Sequence, residues 1–412
     1  MKTFKLITLL LATLAVSSAS WTAENIKIAF IDPLSGPFAN VGEMQARAFQ
    51  FEINGLHARG GVLNGTKFEL ATFDSKLNPQ DASIALKQAI DQGIRFVVQG
   101  DGSNVSLALS EAISKHNERD PDNRVLFLTY TATDPALTND RCSFWHFRFY
   151  PDTDMMTSAL TDIIAENKNI KKVYLLNQDY SYGQAVAKAA RAMLNKKRPD
   201  VPIVGDDLHP AGKIKDFAPY VAKIKAAGAD AVITGNWGND LTLLIKAGKE
   251  FGIKVDYYTY QAGTPGMLQT LGAGAERRIK NVGPRDMNLP LERSIKYIEA
   301  YRNQYKEDLI FQTPATAMRM LASAIERSKS VDPEKIARAL EGMKYEDLAG
   351  EVVMRADNHQ LIQPLFINSF ARADGKDVKF DWDHSGLGFK TERRIEGRDT
   401  IMPTTCKMER PQ

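Results

Sequence analysis

What most constrains this chain is a repeated alternation: short apolar runs rich in β-branched and aromatic residues, each followed by a longer segment of helical period. Parallel strands cannot be joined by tight hairpins and need helix-length crossovers, so this alternation predicts parallel sheets flanked by helices. Residues 26–31 read as a buried strand, and the segment 41–56 then carries Met44, Ala48 and Phe51 at helical spacing. Further strands are expected at 68–73, 96–98 and 125–128. Asn78-Pro79 supplies an N-terminal cap and a first-turn proline, opening a helix that stops near Gly93.

A dense aromatic stretch at 143–151 interrupts the series, which then starts afresh. Strands are expected at 173–176, 231–234 and 257–260, and helices at 182–195, 216–227 and 238–251. Gly228 stands where a helix C-terminus needs a positive φ. After Val282 the pattern turns helical, through 294–305, 314–327 and a short helix opened by Asp332-Pro333, and these helices are expected to pack back on the first half. Residues 361–368 read as a strand whose Pro364 marks an edge or a crossing, and the tail beyond Lys376 reads as charged and irregular. A chain of 412 residues exceeds one typical core. The fold class expected is therefore α/β, with two doubly wound parallel-sheet lobes.

At the N-terminus, Lys2 and Lys5 precede an apolar run from Leu6 to Val16, followed by small residues. This order is that of a secretory signal peptide, assigned to residues 1–23, and the apolar run is shorter than the roughly 20 residues a bilayer span needs. A formal net charge of +3 from nearly balanced acids and bases argues against a nucleic-acid partner. Export puts the two cysteines, Cys142 and Cys406, where disulfides persist, and they are expected to pair; two separate buried thiols are the alternative. The six histidines show no paired ligand spacing, so no metal is expected. The sequence has no Gly-x-Ser-x-Gly elbow, no His-Glu-x-x-His, no phosphate loop and no dinucleotide fingerprint, so neither an enzyme nor a cofactor is expected.

Near the expected mature start, Phe30-Ile31-Asp32-Pro33-Leu34-Ser35-Gly36-Pro37-Phe38-Ala39 resembles the opening of the leucine/isoleucine/valine-binding protein family of bacterial transport systems. The resemblance continues in order through Gly100-Asp101-Gly102-Ser103-Asn104-Val105-Ser106, Tyr130 to Thr138, and Asp179-Tyr180-Ser181-Tyr182-Gly183. It spans essentially the whole mature chain. It implies a type I periplasmic binding protein: lobes 24–147 plus 283–362 and 148–282 plus 363–412, three crossings near 147–151, 279–284 and 361–365, and a ligand in the cleft between them. Hinge closure would present the protein to an inner-membrane ABC permease. A monomer is expected, and a ligand sensor feeding a membrane receptor is the alternative of another class.

Open α/β sheets bind ligands beyond the carboxyl ends of their strands, which is where the implied site residues fall. Gly102 and Ser103 follow the 96–98 strand, and Thr131 and Thr133 follow the 125–128 strand; the resemblance has them hold a carboxylate, against helix capping or turn formation otherwise. Tyr182 would reach in from the second lobe. Asn236-Trp237 stands where relatives present an aromatic residue, so Trp237 would pack on an apolar or aromatic solute. Tyr130 and Phe38 would line an aromatic-friendly pocket. Gln261 occupies the place where amino-acid binders carry an acid for the ligand ammonium, and a buried ammonium without a carboxylate is costly. A non-amino or aromatic carboxylate is therefore expected, with a branched-chain or other amino acid as the alternative.

Overall fold

The computed structural model describes residues 25–411; the signal peptide expected at 1–23 lies outside the described residues. The first sheet is built from β1 (Ile26–Asp32), β2 (Phe68–Asp74), β3 (Phe96–Gln99), β4 (Leu126–Thr129) and β5 (His146–Arg148), all parallel, in the order β2-β1-β3-β4-β5. Apolar side chains cover both faces, as continuous apolar runs require. Asn78 caps the helix Pro79–Asp91 by accepting from the Gln80 and Asp81 amides at 2.8 and 3.2 Å. This satisfies donors that a helix start leaves unpaired.

The second sheet begins with β6 (Val173–Gln178), β7 (Ile203–His209), β8 (Ala231–Thr234), β9 (Asp256–Thr259) and β10 (Ile279–Gly283). The chain then makes a small antiparallel sheet from β11 (Lys344–Asp347), β12 (Gly350–Met354) and β13 (Leu361–Ile362), which adds Val352, Met354 and Leu361 to the first lobe's core. It returns as β14 (Leu365–Arg372) and β15 (Leu387–Ile395), both antiparallel additions, giving the order β15-β14-β10-β9-β8-β6-β7. The split at Gln363-Pro364 separates the two sheets, as expected of a crossing proline.

Three expectations are corrected. The tail is not irregular throughout, because β15 begins with buried Leu387, Gly388 and Phe389 and then turns the charged Glu392 and Arg394 outward along a sheet edge. Beyond it, residues 401–411 lie on the first lobe rather than the second: Thr404 Oγ1 donates to Thr138 O at 3.0 Å and Arg410 pairs with Glu341. Cys406 is bonded there to Cys142. The helix Glu292–Tyr305 also does not pack on the first lobe alone. Its Ile298 and Tyr301 join the second lobe's core, while its tyrosines surround Phe51 of the first-lobe helix Ala39–Ala58.

The crossings are bound to one another by buried polar groups. The Arg148 guanidinium, fully buried, donates to Gln360 Oε1 at 2.6 Å and to the Asp134 carbonyl at 2.6 Å, and also reaches Thr138 and Asp152. Gln360 and Gln363 donate in turn to the carbonyls of Tyr150 and Phe149. Within each lobe the strand order reverses beside one strand: β1 and β3 diverge in the first sheet, β6 and β8 in the second. Loops part at such a point and leave a crevice, and here the two crevices face each other.

Candidate functional site

Between the lobes lies a cleft with about 1000 Å³ of empty volume, its mouth included. Its first wall comes from the loops after β3 and β4. Gly102 caps the helix Ser103–Arg119 at φ +82°, a conformation suited to glycine. Ser103 is therefore free of capping work; its Oγ accepts from the Thr133 and Asp134 amides, both at 3.2 Å, and joins the two loops. Thr131 Oγ1 is buried with no protein partner. A Cβ on Gly100 would come within 2.3 Å of that hydroxyl, so the close approach depends on glycine. Ser103, Gly102, Thr131 and Thr133 all line the cleft.

Asp101 stands in the same wall. One oxygen accepts from Gln45 Nε2 at 3.0 Å and the other, Oδ2, is buried and unpartnered. Burial pushes its carboxyl up to about 7, with Gln45 opposing. Asp32 beneath it is held well above the usual carboxylate range by burial and by the Asp101 charge, and the Gly100 and Asp101 amides point at it. Tyr130 completes this network and is not a cleft residue, contrary to expectation. Its hydroxyl lies 2.5 Å from Asp32 Oδ2 and 2.6 Å from Gln45 Oε1, and its ring packs edge-on against Phe49 in the core. A buried acid needs donors, and that need turns the ring inward.

The second wall is aromatic. Tyr182 follows β6 and its hydroxyl is buried without a partner; a Cβ on the next residue, Gly183, would lie 1.9 Å from the Gln178 carbonyl, so only glycine lets the loop turn there. Trp237 follows β8 and donates from Nε1 to the Tyr180 hydroxyl at 2.8 Å. Tyr150, Tyr260 and Phe311 extend this surface. Phe38 does not line the cleft; it reaches across from the first lobe and packs on Trp237 with ring centroids 4.2 Å apart. Asn236 is turned away as well, pairing its Oδ1 with His209 Nε2 at 3.0 Å, because the loop aims only every other side chain at the opening.

Gln261 lines the second wall beside Tyr150. Next to it stands a residue that sequence reasoning missed, Arg285. Its guanidinium donates to the Ile310 carbonyl at 2.5 Å and the Ala262 carbonyl at 3.1 Å and stacks on Phe389, while Nε is buried and unpartnered. Burial lowers it to about 10. The signal was a cation placed directly after the apolar strand that ends at Gly283-Pro284. Among the described residues no group of three or more His, Cys, Asp or Glu side chains has the arrangement of a metal site, and no helix is long and apolar enough to cross a membrane.

The profile of the periplasmic binding protein family matches residues 25–376. The chain is 31% identical to the Leu/Ile/Val-binding protein homolog 4 of Brucella melitensis, over 96% of this chain and 95% of that one. Its fold is similar to the closed conformation of the leucine-, isoleucine-, valine-, threonine- and alanine-binding protein of Brucella ovis, at 30% identity and a TM-score of 0.84, covering 94% of this chain and 100% of that one. A solute-binding protein of Rhodopseudomonas palustris in complex with benzoate shares the fold at 16% identity and a TM-score of 0.78, covering 93% and 99% of the two chains. With two facing switch-point crevices, a polar first wall and an aromatic second one, the chain belongs to the periplasmic binding protein family of solute-binding transport components.

Proposed function

We propose that the protein works in the periplasm as the binding component of an ABC transporter, taking a small carboxylate that lacks an α-amino group, with an aromatic skeleton favoured, and presenting it to an inner-membrane permease as a monomer. The observation that carries this reading is the charge of the second wall: Gln261 is neutral and its neighbour is the Arg285 cation. An ammonium placed there meets a guanidinium instead of a carboxylate, which is unfavourable in a buried cleft. On the first wall, Ser103, Thr131 and Thr133 offer hydroxyls and backbone amides suited to one carboxylate. Six aromatic rings around the remaining space suit a flat apolar body.

A second reading, an amino-acid ligand, has one observation in its favour: the unpartnered Oδ2 of Asp101 could accept from an ammonium on the first wall. A thermal-shift screen of the mature protein against amino acids and non-amino carboxylates separates the two, because ligands that bind only the folded state raise its melting temperature. Shifts confined to the carboxylates are expected, and a strong shift with leucine, isoleucine or valine overturns the proposal. Gln261→Glu should weaken carboxylate binding at least about tenfold by placing a like charge beside the ligand.

A further inference from the structure

Arg285 is a cation in search of an anion. Each of its two terminal nitrogens gives one N–H to a backbone carbonyl, and these neutral partners leave the charge uncompensated. Its flat face lies 4.4 Å from the Phe389 ring centroid and 5.3 Å from that of Trp382, so it cannot swing away without losing both contacts. The acids that face it from the surrounding elements do not neutralise it. Asp308 acts only through space and is already paired with Arg302 at 2.6 Å. Asp101 and Asp347 line the same cleft, yet neither touches the guanidinium, and burial pushes both carboxyls toward their neutral forms. Among the described residues no carboxylate forms an ion pair with this guanidinium, and its Nε–H has no acceptor.

The carboxylate assigned above to Ser103, Thr131 and Thr133 is on the other wall, in loops after β3 and β4, while Arg285 follows β10. One carboxylate on the hydroxyl wall does not discharge the cation opposite. We infer that the ligand carries a second anionic group held by Arg285, so that the site selects small dicarboxylates over monocarboxylates of the same skeleton. This rests on the carboxylate reading of the cleft. Fixed in place by two carbonyls and two rings, the guanidinium meets an incoming carboxylate without reordering, and charge-assisted donors of this kind are the strong ones. A structural strut would make the same carbonyl contacts and gain nothing from a second negative charge.

The test is calorimetric titration of the mature protein with two matched pairs, terephthalate against benzoate and adipate against hexanoate, together with 4-hydroxybenzoate as a neutral acceptor at the far end. In at least one pair the dicarboxylate should bind about thirtyfold or more tightly than its partner. Arg285→Met should abolish that preference, read as the ratio of dicarboxylate to monocarboxylate affinity within each pair, and Arg285→Lys should restore part of it. Should the methionine variant fail to fold, the wild-type ratios and the lysine variant decide. Monocarboxylates binding as well as dicarboxylates, or 4-hydroxybenzoate matching terephthalate, overturns the inference and leaves the carboxylate reading standing. Amino acids binding while every carboxylate fails overturns both.

Discussion

The two walls of the cleft are made differently. The first is a set of backbone-rich loops in which Gly100, Gly102, Ser103 and Thr133 interlock, and its conformation is set by glycines and by hydrogen bonds inside the lobe. The second is a surface of side chains, Tyr180, Tyr182, Trp237, Gln261 and Arg285, mounted on strand ends. A wall of amides suits the group that every ligand of one class shares, and a wall of side chains suits the part in which ligands differ. On the proposed reading, anchoring and selection fall to different lobes, and both are complete only when the lobes close.

Three changes probe that division. The largest effect is expected from Arg148→Met, which strips the first wall's support from the Asp134 carbonyl and leaves Asp152 buried without its partner. It should cost about 3–5 kcal/mol of stability. Chemical denaturation measures it, and a loss under 1 kcal/mol would mean that the wall stands without its crossing. Next comes Ser103→Ala, which should weaken every ligand alike by about 100-fold, since a charge-assisted bond and the tie between two loops go together. Titration with several ligands would break the comparison if one lost affinity and another did not.

The smallest effect concerns Asp101. Its carboxyl titrates near 7 as part of the pair with Asp32, and an ionised form beside a bound carboxylate is repelled. Affinity for carboxylates should therefore fall about tenfold from pH 6 to pH 8, and Asp101→Asn should flatten the profile. Stability carries the same sign. The folded protein holds this proton more tightly than an unfolded chain, whose Asp titrates at about 3.9, so the group's contribution declines as pH rises from about 4 to 7. Binding that strengthens with pH would assign Asp101 to an ammonium and move selection onto the first wall.

Much of this was legible in the sequence, and the gaps have physical reasons. Two α/β lobes followed from the alternation of strands and helices, and the Asn78-Pro79 cap and the turn at Gly228, with φ +64°, followed from local chemistry. The loop containing Ser103 was singled out by the family resemblance, without which helix capping was the readier explanation, and Gly102 and Ser103 do line the cleft. Tyr130 misled because sequence gives its address at a strand end but not the buried acid 98 residues earlier that claims its hydroxyl. Arg285 was hidden by the opposite problem. A lone arginine reads as surface until the fold brings Phe389 and Ile310 around it. The edge strand β15 escaped because its outward side chains are charged, as an edge exposed to solvent requires.

The bond between Cys142 and Cys406 closes a covalent ring, 264 residues in separation, that contains every strand of the second sheet. A protease that cuts any loop of that lobe opens the ring without releasing a piece: the two fragments stay joined through sulfur while the uncut crossings and the packed cores hold them in register. A single cut there is expected to become visible only after reduction, when one band separates into two.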